Sequence, residues 1–285
     1  MAGYEDRFVL AVDGVRLHLR DYPGDPGRPP VVCLPGLTRN ARDYAMLAEC
    51  LAGAWRVLAI DLRGRGESGR ADDWASYTPA TYAEDVRGVM HELGIGRFVA
   101  VGTSLGGIVA MMIAAAEPGR LAGAVLNDIG PTIEAAGLQR IRGYVGRGSS
   151  HPTWLHAARA VQEGNRDVYP DWTLDEWLQM AKRLYRLTDH GKIVLDYDLR
   201  IAEPFRQPGG EAPADLWPAL DALRDTPVLI VRGERSDVLS AATAAQMVAG
   251  LQAAELVTVP RVGHAPTLNE AEAVAGIARL LARLA

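Results

Sequence analysis

A serine lies between two glycines at the end of an apolar run. Residues 98–107 read FVAVGTSLGG, so Ser104 is the centre of a Gly-x-Ser-x-Gly motif between Gly102 and Gly106. The run before the motif predicts a strand, and the apolar segment after it predicts a helix. A sharp strand-to-helix corner needs glycines because a Cβ would crowd it, and the corner serine is left exposed. The motif therefore predicts a nucleophile at a helix N-terminus, where the helix dipole favours developing negative charge.

A serine hydroxyl is inert at neutral pH unless a base takes its proton. Of the six histidines, His264 fits best, because LVTVPRVGHAPTLNE places it just beyond the last strand. A carboxylate should orient that imidazole, and Asp237 is the expected acid because it follows the strand VLIVRG. The order Ser104, Asp237, His264 is the one expected for a nucleophile on a strand-to-helix corner. Asp128 is the competing candidate, because it ends the strand segment GAVLND and could also reach the histidine.

The oxyanion formed when serine attacks a carbonyl needs backbone N–H donors. One donor is expected from Leu105, directly after the nucleophile. The other is expected from Leu37, in the loop after VVCLPG, where Gly36 lets the backbone approach a substrate. Together with the three catalytic candidates, these two residues predict acyl-transfer chemistry.

The elements that must position these groups alternate along the chain. RFVLAV and VRLHLRDY flank Asp13-Gly14, which predicts an opening β-hairpin. After it, continuously apolar strands such as RFVAVG and TPVLIVRG alternate with helices. This pattern is typical of a parallel sheet buried on both faces. We expect an α/β fold with a mostly parallel central sheet and helices on both faces.

The alternation breaks between residues 131 and 225, where several helices but no convincing strand are predicted. This stretch also holds nine of the eighteen aromatic residues. We expect a helical cap formed by residues 131–225, inserted into a core domain formed by residues 1–130 and 226–285. Most of the rings are expected to form the cap's own core. The aromatic content suggests a small to medium, mainly apolar substrate.

Five segments, taken together, are far more specific to one protein family than any one of them alone. They are LPGLTRN, DLRGRGES, GTSLGG, RGERSD and GHAPTLNE. They resemble the α/β-hydrolase fold superfamily across nearly the whole chain. The resemblance implies a Ser-His-Asp mechanism and a lid-like cap made by the insertion.

Two positions depart from the pattern of that superfamily. Pro35-Gly36 stands where members often carry His-Gly, and Arg65 stands where they often carry histidine. The first departure is expected to change the shape of the oxyanion loop but not its donors. The second is expected to alter a turn.

Composition and charge narrow the possible binding partners and the cellular location of the protein. The 285 residues are 48% hydrophobic with a net charge of −5, and no long basic run suggests nucleic acid. No apolar run approaches the roughly 18 residues of a membrane span, so no membrane partner is expected. The N-terminus, MAGYEDRFVL, is acidic where a signal peptide would be basic, which predicts a cytoplasmic protein. The oligomeric state is left open.

Cofactor and metal motifs are weak. GRGESG, residues 64–69, matches a dinucleotide fingerprint, but the segment after it is polar where that fingerprint must open an apolar helix. His151 and His156 are five residues apart and point to different faces of a helix. We therefore expect no cofactor and no metal.

The expected function is hydrolysis of a carboxylic ester or lactone through an acyl-enzyme. A carbon–carbon bond hydrolase, an acyltransferase or a perhydrolase could use the same three residues. A small-molecule receptor without catalysis is an alternative of a different class. Nucleophilic aspartate chemistry is excluded because position 104 is serine.

Overall fold

A large mixed sheet forms the centre of the computed structural model, which describes residues 3–207 and 215–285. The strands of the described residues, numbered in chain order, are β1 (Glu5–Leu10), β2 (Arg16–Tyr22), β3 (Val31–Leu34), β4 (Val57–Asp61), β5 (Phe98–Thr103), β6 (Leu121–Asn127), β7 (Ser150–His151), β8 (Tyr185–Leu187), β9 (Ile193–Leu195), β10 (Val228–Gly233) and β11 (Ala254–Val259). Eight of them form the central sheet in the order β1-β2-β4-β3-β5-β6-β10-β11.

The sheet is parallel except at one edge. β1 pairs antiparallel with β2 through the Asp13-Gly14 turn, and β2 pairs antiparallel with β4. The pairs from β4 through β3, β5, β6 and β10 to β11 are all parallel. The carboxyl ends of these parallel strands therefore meet at one edge of the sheet, and the predicted mostly parallel sheet is confirmed.

Helices connect the strands and cover both faces of the sheet. The α-helices of the described residues are α1 (Ala45–Leu51), α2 (Pro79–Glu92), α3 (Leu105–Ala116), α4 (Ala135–Tyr144), α5 (Trp154–Asn165), α6 (Leu174–Leu184), α7 (Glu203–Arg206), α8 (Trp217–Asp221), α9 (Ala241–Gly250) and α10 (Ala271–Ala282). Short 3₁₀ helices cover Ala41–Tyr44, Trp74–Ser76 and Leu199–Ala202. None of the helices in residues 3–207 and 215–285 is long and apolar enough to cross a membrane.

Strand β3 shows how the core is divided. Val32 and Leu34 join an apolar cluster with α2, α3 and α9, whereas Val31 and Cys33 join a second cluster with α1 and α10. Successive side chains of a strand point to opposite faces, so the two clusters lie on opposite sides of the sheet. The continuous burial of β3 through β6 explains why these strands read as unbroken apolar runs.

The segment inserted between β6 and β10 has a core of its own. Helices α5 and α6 pack together around the buried side chains of Trp177, Met180 and Ala157. A small antiparallel sheet in the order β7-β9-β8 lies beside them. The prediction that this stretch holds no strand was wrong, because strands of two or three residues are too short to show an alternating pattern. The division into two domains at residues 130/131 and 225/226 stays a prediction.

Candidate active site

Ser104 forms the corner between β5 and α3. Its φ angle of 51° lies in the left-handed region, which a non-glycine residue seldom adopts. A Cβ on Gly102 would lie 2.4 Å from the backbone of Gly106, and a Cβ on Gly106 would lie 1.9 Å from the carbonyl oxygen of Leu34. Both glycines are therefore required for the helix to start this close to the sheet, as the motif predicts.

His264 lies in the loop that follows β11. Its Nε2 is 3.0 Å from the Ser104 Oγ, and its side chain is 8% exposed. Hydrogen bonds on both sides of His264 hold this loop: Gly263 donates its N–H to Val168, Tyr169 donates its hydroxyl to Ala265, and Asn127 donates its amide to Pro266. The structure thus brings the predicted serine and histidine into hydrogen-bond contact.

The carboxylate that meets His264 belongs to Asp128, at the carboxyl end of β6. Its Oδ2 lies 2.8 Å from His264 Nδ1 and also accepts the hydroxyl hydrogen of Ser236 at 2.6 Å. Its Oδ1 accepts the N–H of Gly233 at 2.8 Å, and the side chain is 0% exposed. Three donors therefore fix one buried carboxylate against the imidazole.

The structure corrects the prediction that Asp237 orients His264. Asp237 instead makes a two-pronged ion pair with Arg140 of α4, whose Nε and Nη2 donate at 2.6 and 2.8 Å. The hydrogen bond from Arg140 is the main cause that lowers the pKa of Asp237. The end of β10 and the loop after it still contact the acid, because Gly233 and Ser236 both donate hydrogen bonds to Asp128.

The loop expected to supply an oxyanion donor lies against the nucleophile. A Cβ on Gly36 would lie 3.8 Å from the Ser104 Cβ, and Leu37 borders the same cavity as Ser104. Leu105 is the first residue of α3, so its N–H has no partner four residues earlier within the helix. The roles of Leu37 and Leu105 as oxyanion donors stay predictions.

Arg65 hydrogen-bonds to the loop that contains Leu37. Arg65 is 1% exposed, and its guanidinium donates from Nε to the carbonyl of Leu37 at 2.9 Å and from Nη1 to the carbonyl of Arg63 at 2.6 Å. It also lies over the ring of Tyr82, 4.6 Å from its centroid. Having arginine rather than histidine at position 65 therefore does more than alter a turn, because the buried guanidinium holds the Leu37 carbonyl.

A cavity of about 330 Å³ opens above Ser104 and His264. Four tyrosines of the inserted segment contribute to its wall: Tyr144, Tyr169, Tyr185 and Tyr197. The tryptophans do not line it: Trp172 stacks on Tyr169 and, with Trp177, belongs to the cap's own core. We expected most of the nine rings to form the cap's own core, and five of them do: Trp154, Tyr169, Trp172, Trp177 and Tyr185. The side chain of Phe205 lies outside the described residues.

Four arginines also line the cavity. Arg39 is paired with Asp43, and Arg140 is paired with Asp237. The other two are Arg147 and Arg183. This wall is more cationic than the aromatic content of the sequence suggested.

Within residues 3–207 and 215–285, no group of three or more His, Cys, Asp or Glu side chains is arranged to hold a metal ion.

A family comparison agrees with this geometry. The sequence profile of the Alpha/beta hydrolase family matches residues 31–277, which include all three residues of the hydrogen-bonded chain. The chain belongs to the alpha/beta hydrolase family.

Individual relatives of this alpha/beta hydrolase extend over most of its length. It is 33% identical over 278 residues to 3-hydroxybutyrate-oligomer hydrolase from Cupriavidus necator, covering 94% of each chain. It is 31% identical over 231 residues to 2-(acetamidomethylene)succinate hydrolase from Mesorhizobium japonicum, covering 80% of this chain and 79% of the relative. The crystal structure of an alpha/beta hydrolase from Novosphingobium aromaticivorans is 56% identical, covers 99% of both chains and superposes with a TM-score of 0.96.

Several residues of the site could not be predicted from the sequence. Ser236 precedes the predicted acid directly, yet nothing in RGERSD separates a hydroxyl that holds Asp128 from an ordinary turn serine. Arg140 and Arg183 belong to helices of the inserted segment, whose placement over the sheet is a tertiary property. For these residues the sequence carries no local signal.

Proposed function

We propose that this alpha/beta hydrolase is a serine hydrolase that cleaves a carboxylic ester or lactone through an acyl-enzyme. One observation carries the proposal: an unbroken chain of hydrogen-bond contacts from the Ser104 hydroxyl through His264 to the buried carboxylate of Asp128. That chain opens into the cavity bordered by Leu37. Nucleophile, base and orienting acid are the three parts that activated serine chemistry needs.

The proposed reaction begins when Ser104 attacks the substrate carbonyl while His264 Nε2 takes the hydroxyl proton. The Asp128 carboxylate holds the tautomer with hydrogen on Nδ1 and stabilises the imidazolium that forms. The N–H groups of Leu37 and Leu105 receive the oxyanion. His264 then returns a proton to the leaving alcohol oxygen. In the second half, His264 removes a proton from water, which attacks the acyl carbon. His264 then returns that proton to the Ser104 Oγ as the acyl–oxygen bond breaks, which releases the acid and regenerates the free serine.

The size of the cavity supports a small to medium substrate. A volume of about 330 Å³ lies at the low end of ligand pockets, which span roughly 300 to 1,000 Å³. The relative named 3-hydroxybutyrate-oligomer hydrolase supports hydrolysis as the reaction and makes short esters the first substrates to test. The tyrosines give the cavity apolar surface, while its arginines favour a more polar ligand than an aromatic cap alone would. A cytoplasmic location is part of the same proposal.

Release of 4-nitrophenol from 4-nitrophenyl butyrate tests the proposal. We expect an initial burst, because 4-nitrophenol leaves on acylation and the slower deacylation then limits turnover, and covalent labelling by a fluorophosphonate at the peptide that contains Ser104. Ser104→Ala should abolish the label and lower kcat by at least about 10³-fold. Ser76→Ala, in a short helix whose residues do not line the cavity, is the control and should keep both. A wild-type protein that neither labels nor turns over any ester would contradict the proposal and favour a receptor.

A further inference from the structure

We propose that Arg183 binds a carboxylate of the substrate, so that the hydrolysed ester is an anion. The inference rests on the proposed function, because it names the substrate class for the same cavity. Arg183 lies in the last turn of α6, and its side chain lines the cavity that contains Ser104 and His264. Three observations support this inference: the hydrogen bonds that hold its backbone, the lack of a partner for its guanidinium in the described part of the chain, and the charge balance of the cavity wall.

The backbone of Arg183 is held firmly against the core of the protein. Its carbonyl oxygen accepts hydrogen bonds from the Asn40 amide at 2.8 Å and from the Arg42 guanidinium at 2.8 Å. Arg42 is in turn paired with the buried carboxylate of Asp196. Asn40 and Arg42 follow the oxyanion loop in the chain, so this clamp fixes Arg183 relative to the reacting centre.

Among residues 3–207 and 215–285, the Arg183 guanidinium is left without a hydrogen-bond or ion-pair partner. Within the described part of the chain, the Arg183 side chain makes no ion pair, and its buried Nε has no hydrogen-bond acceptor. Burial lowers the pKa of Arg183 and outweighs the opposing effect of the nearby Asp43 carboxylate. A guanidinium presents a planar set of donors that matches the two oxygens of a carboxylate. A carboxylate on the ligand would therefore supply what the wall lacks.

Two other arginines of the cavity wall differ from Arg183 in that each is paired with a carboxylate of the protein. Arg39 and Arg140 already hold carboxylates, Asp43 and Asp237 respectively. Their charges are balanced within the protein. Arg183 is only partly exposed, so its interaction with an anion is less screened by water than that of a surface group.

Arg147 is the second arginine of the cavity wall without a carboxylate partner among residues 3–207 and 215–285. It is exposed, and contacts between exposed charges are weak. Arg147 can attract an anion to the mouth of the cavity, whereas Arg183 can hold it inside.

Matched substrates that differ only in charge test the proposal. One pair is 4-nitrophenyl hemiadipate and its N,N-dimethylamide; the other is 3-(butyryloxy)propanoate and its N,N-dimethylamide, which moves the carboxylate to the alcohol half. We expect the wild type to prefer the acid over the amide in at least one pair. Arg183→Gln should lower that acid-to-amide ratio of kcat/KM by about tenfold or more, mainly through KM, because a charged hydrogen bond is lost. Arg183→Lys should restore part of the ratio.

Lys182→Gln is the matched control, since it removes the same charge from an exposed neighbouring position of α6. It should keep the wild-type ratio. A wild type that prefers neither acid, or an Arg183→Gln variant with the wild-type ratio and an unchanged melting temperature, would overturn the proposal.

A binding measurement separates this inference from the proposed function. Calorimetric titration of adipate into the Ser104→Ala variant needs no catalysis, and adding Arg183→Gln should weaken the binding by about tenfold or more. If adipate binds through Arg183 but no ester is hydrolysed, the proposed function alone fails. If esters are hydrolysed but Arg183→Gln changes neither the ratio nor the adipate affinity, the carboxylate site alone fails.

Discussion

Two carboxylates hold the buried imidazole of His18. Its Nδ1 lies 2.7 Å from Asp61 of β4 and its Nε2 lies 2.8 Å from Asp6 of β1, while the ring is 1% exposed. Burial by itself lowers the pKa of His18, but the hydrogen bonds and charges of Asp61 and Asp6 outweigh it and raise the pKa above 6.5. The imidazolium therefore ties together the antiparallel edge of the sheet.

This arrangement predicts a pH-dependent stability. Because the folded pKa of His18 is raised, its contribution is fully present below about pH 6.5 and is lost as pH rises through the folded value. We expect the free energy of unfolding, measured with urea, to fall over that range in the wild type and to vary less in His18→Gln. His91→Gln, an exposed position on α2, should keep the wild-type slope. Equal slopes for wild type and His18→Gln would contradict the assignment.

The corner between β5 and α3 is the element on which the nucleophile depends. Gly106 has no room for a side chain, since a Cβ would lie 1.9 Å from the Leu34 carbonyl oxygen, which is rigid backbone. Gly106→Ala should therefore move the corner away from β3, cost roughly 1–3 kcal/mol in the free energy of unfolding, and reduce ester turnover.

A second glycine serves as the control. Gly88 lies in the middle of α2, with nothing within 4 Å of where its Cβ would be. Gly88→Ala should stabilise the protein by about 0.5–1 kcal/mol and preserve turnover, because alanine is the better helix former. The thermal midpoint and 4-nitrophenyl butyrate turnover of both variants check the pair. A Gly106→Ala variant as stable and active as the wild type would show that the corner tolerates a Cβ.

Elements with strong local patterns could be predicted from the sequence. The apolar runs at β3, β5 and β10 and the Gly-x-Ser-x-Gly corner are local features, and the structure has them where they were expected. The small sheet β7-β9-β8 was missed because its strands have only two or three residues, too few to show an alternating pattern. Whether a strand or helix can be predicted from the sequence therefore depends on the length and the hydrophobic periodicity of its segment, not on its composition.

At the scale of the whole molecule, three distant segments meet at the carboxyl edge of the sheet. β6 and β10 are parallel neighbours, so Asp128 and Asp237 both follow strands that end at the same edge. The sequence narrows the acid to these two residues and favours Asp237, whereas the structure places Asp128 against His264. The choice depends on Arg140, which the inserted segment brings to Asp237, and on Ser236 and Gly233, which hold Asp128.

The measurement that tests this account most directly compares kcat for an ester in Asp128→Asn and Asp237→Asn. An asparagine at 128 cannot hold the histidine tautomer or stabilise its charged form, so we expect kcat to fall by about 10³- to 10⁴-fold with an unchanged fold. Asp237→Asn only weakens an ion pair with Arg140 and should lose less than about tenfold. The opposite order, a large loss in Asp237→Asn beside a nearly active Asp128→Asn, would contradict the account.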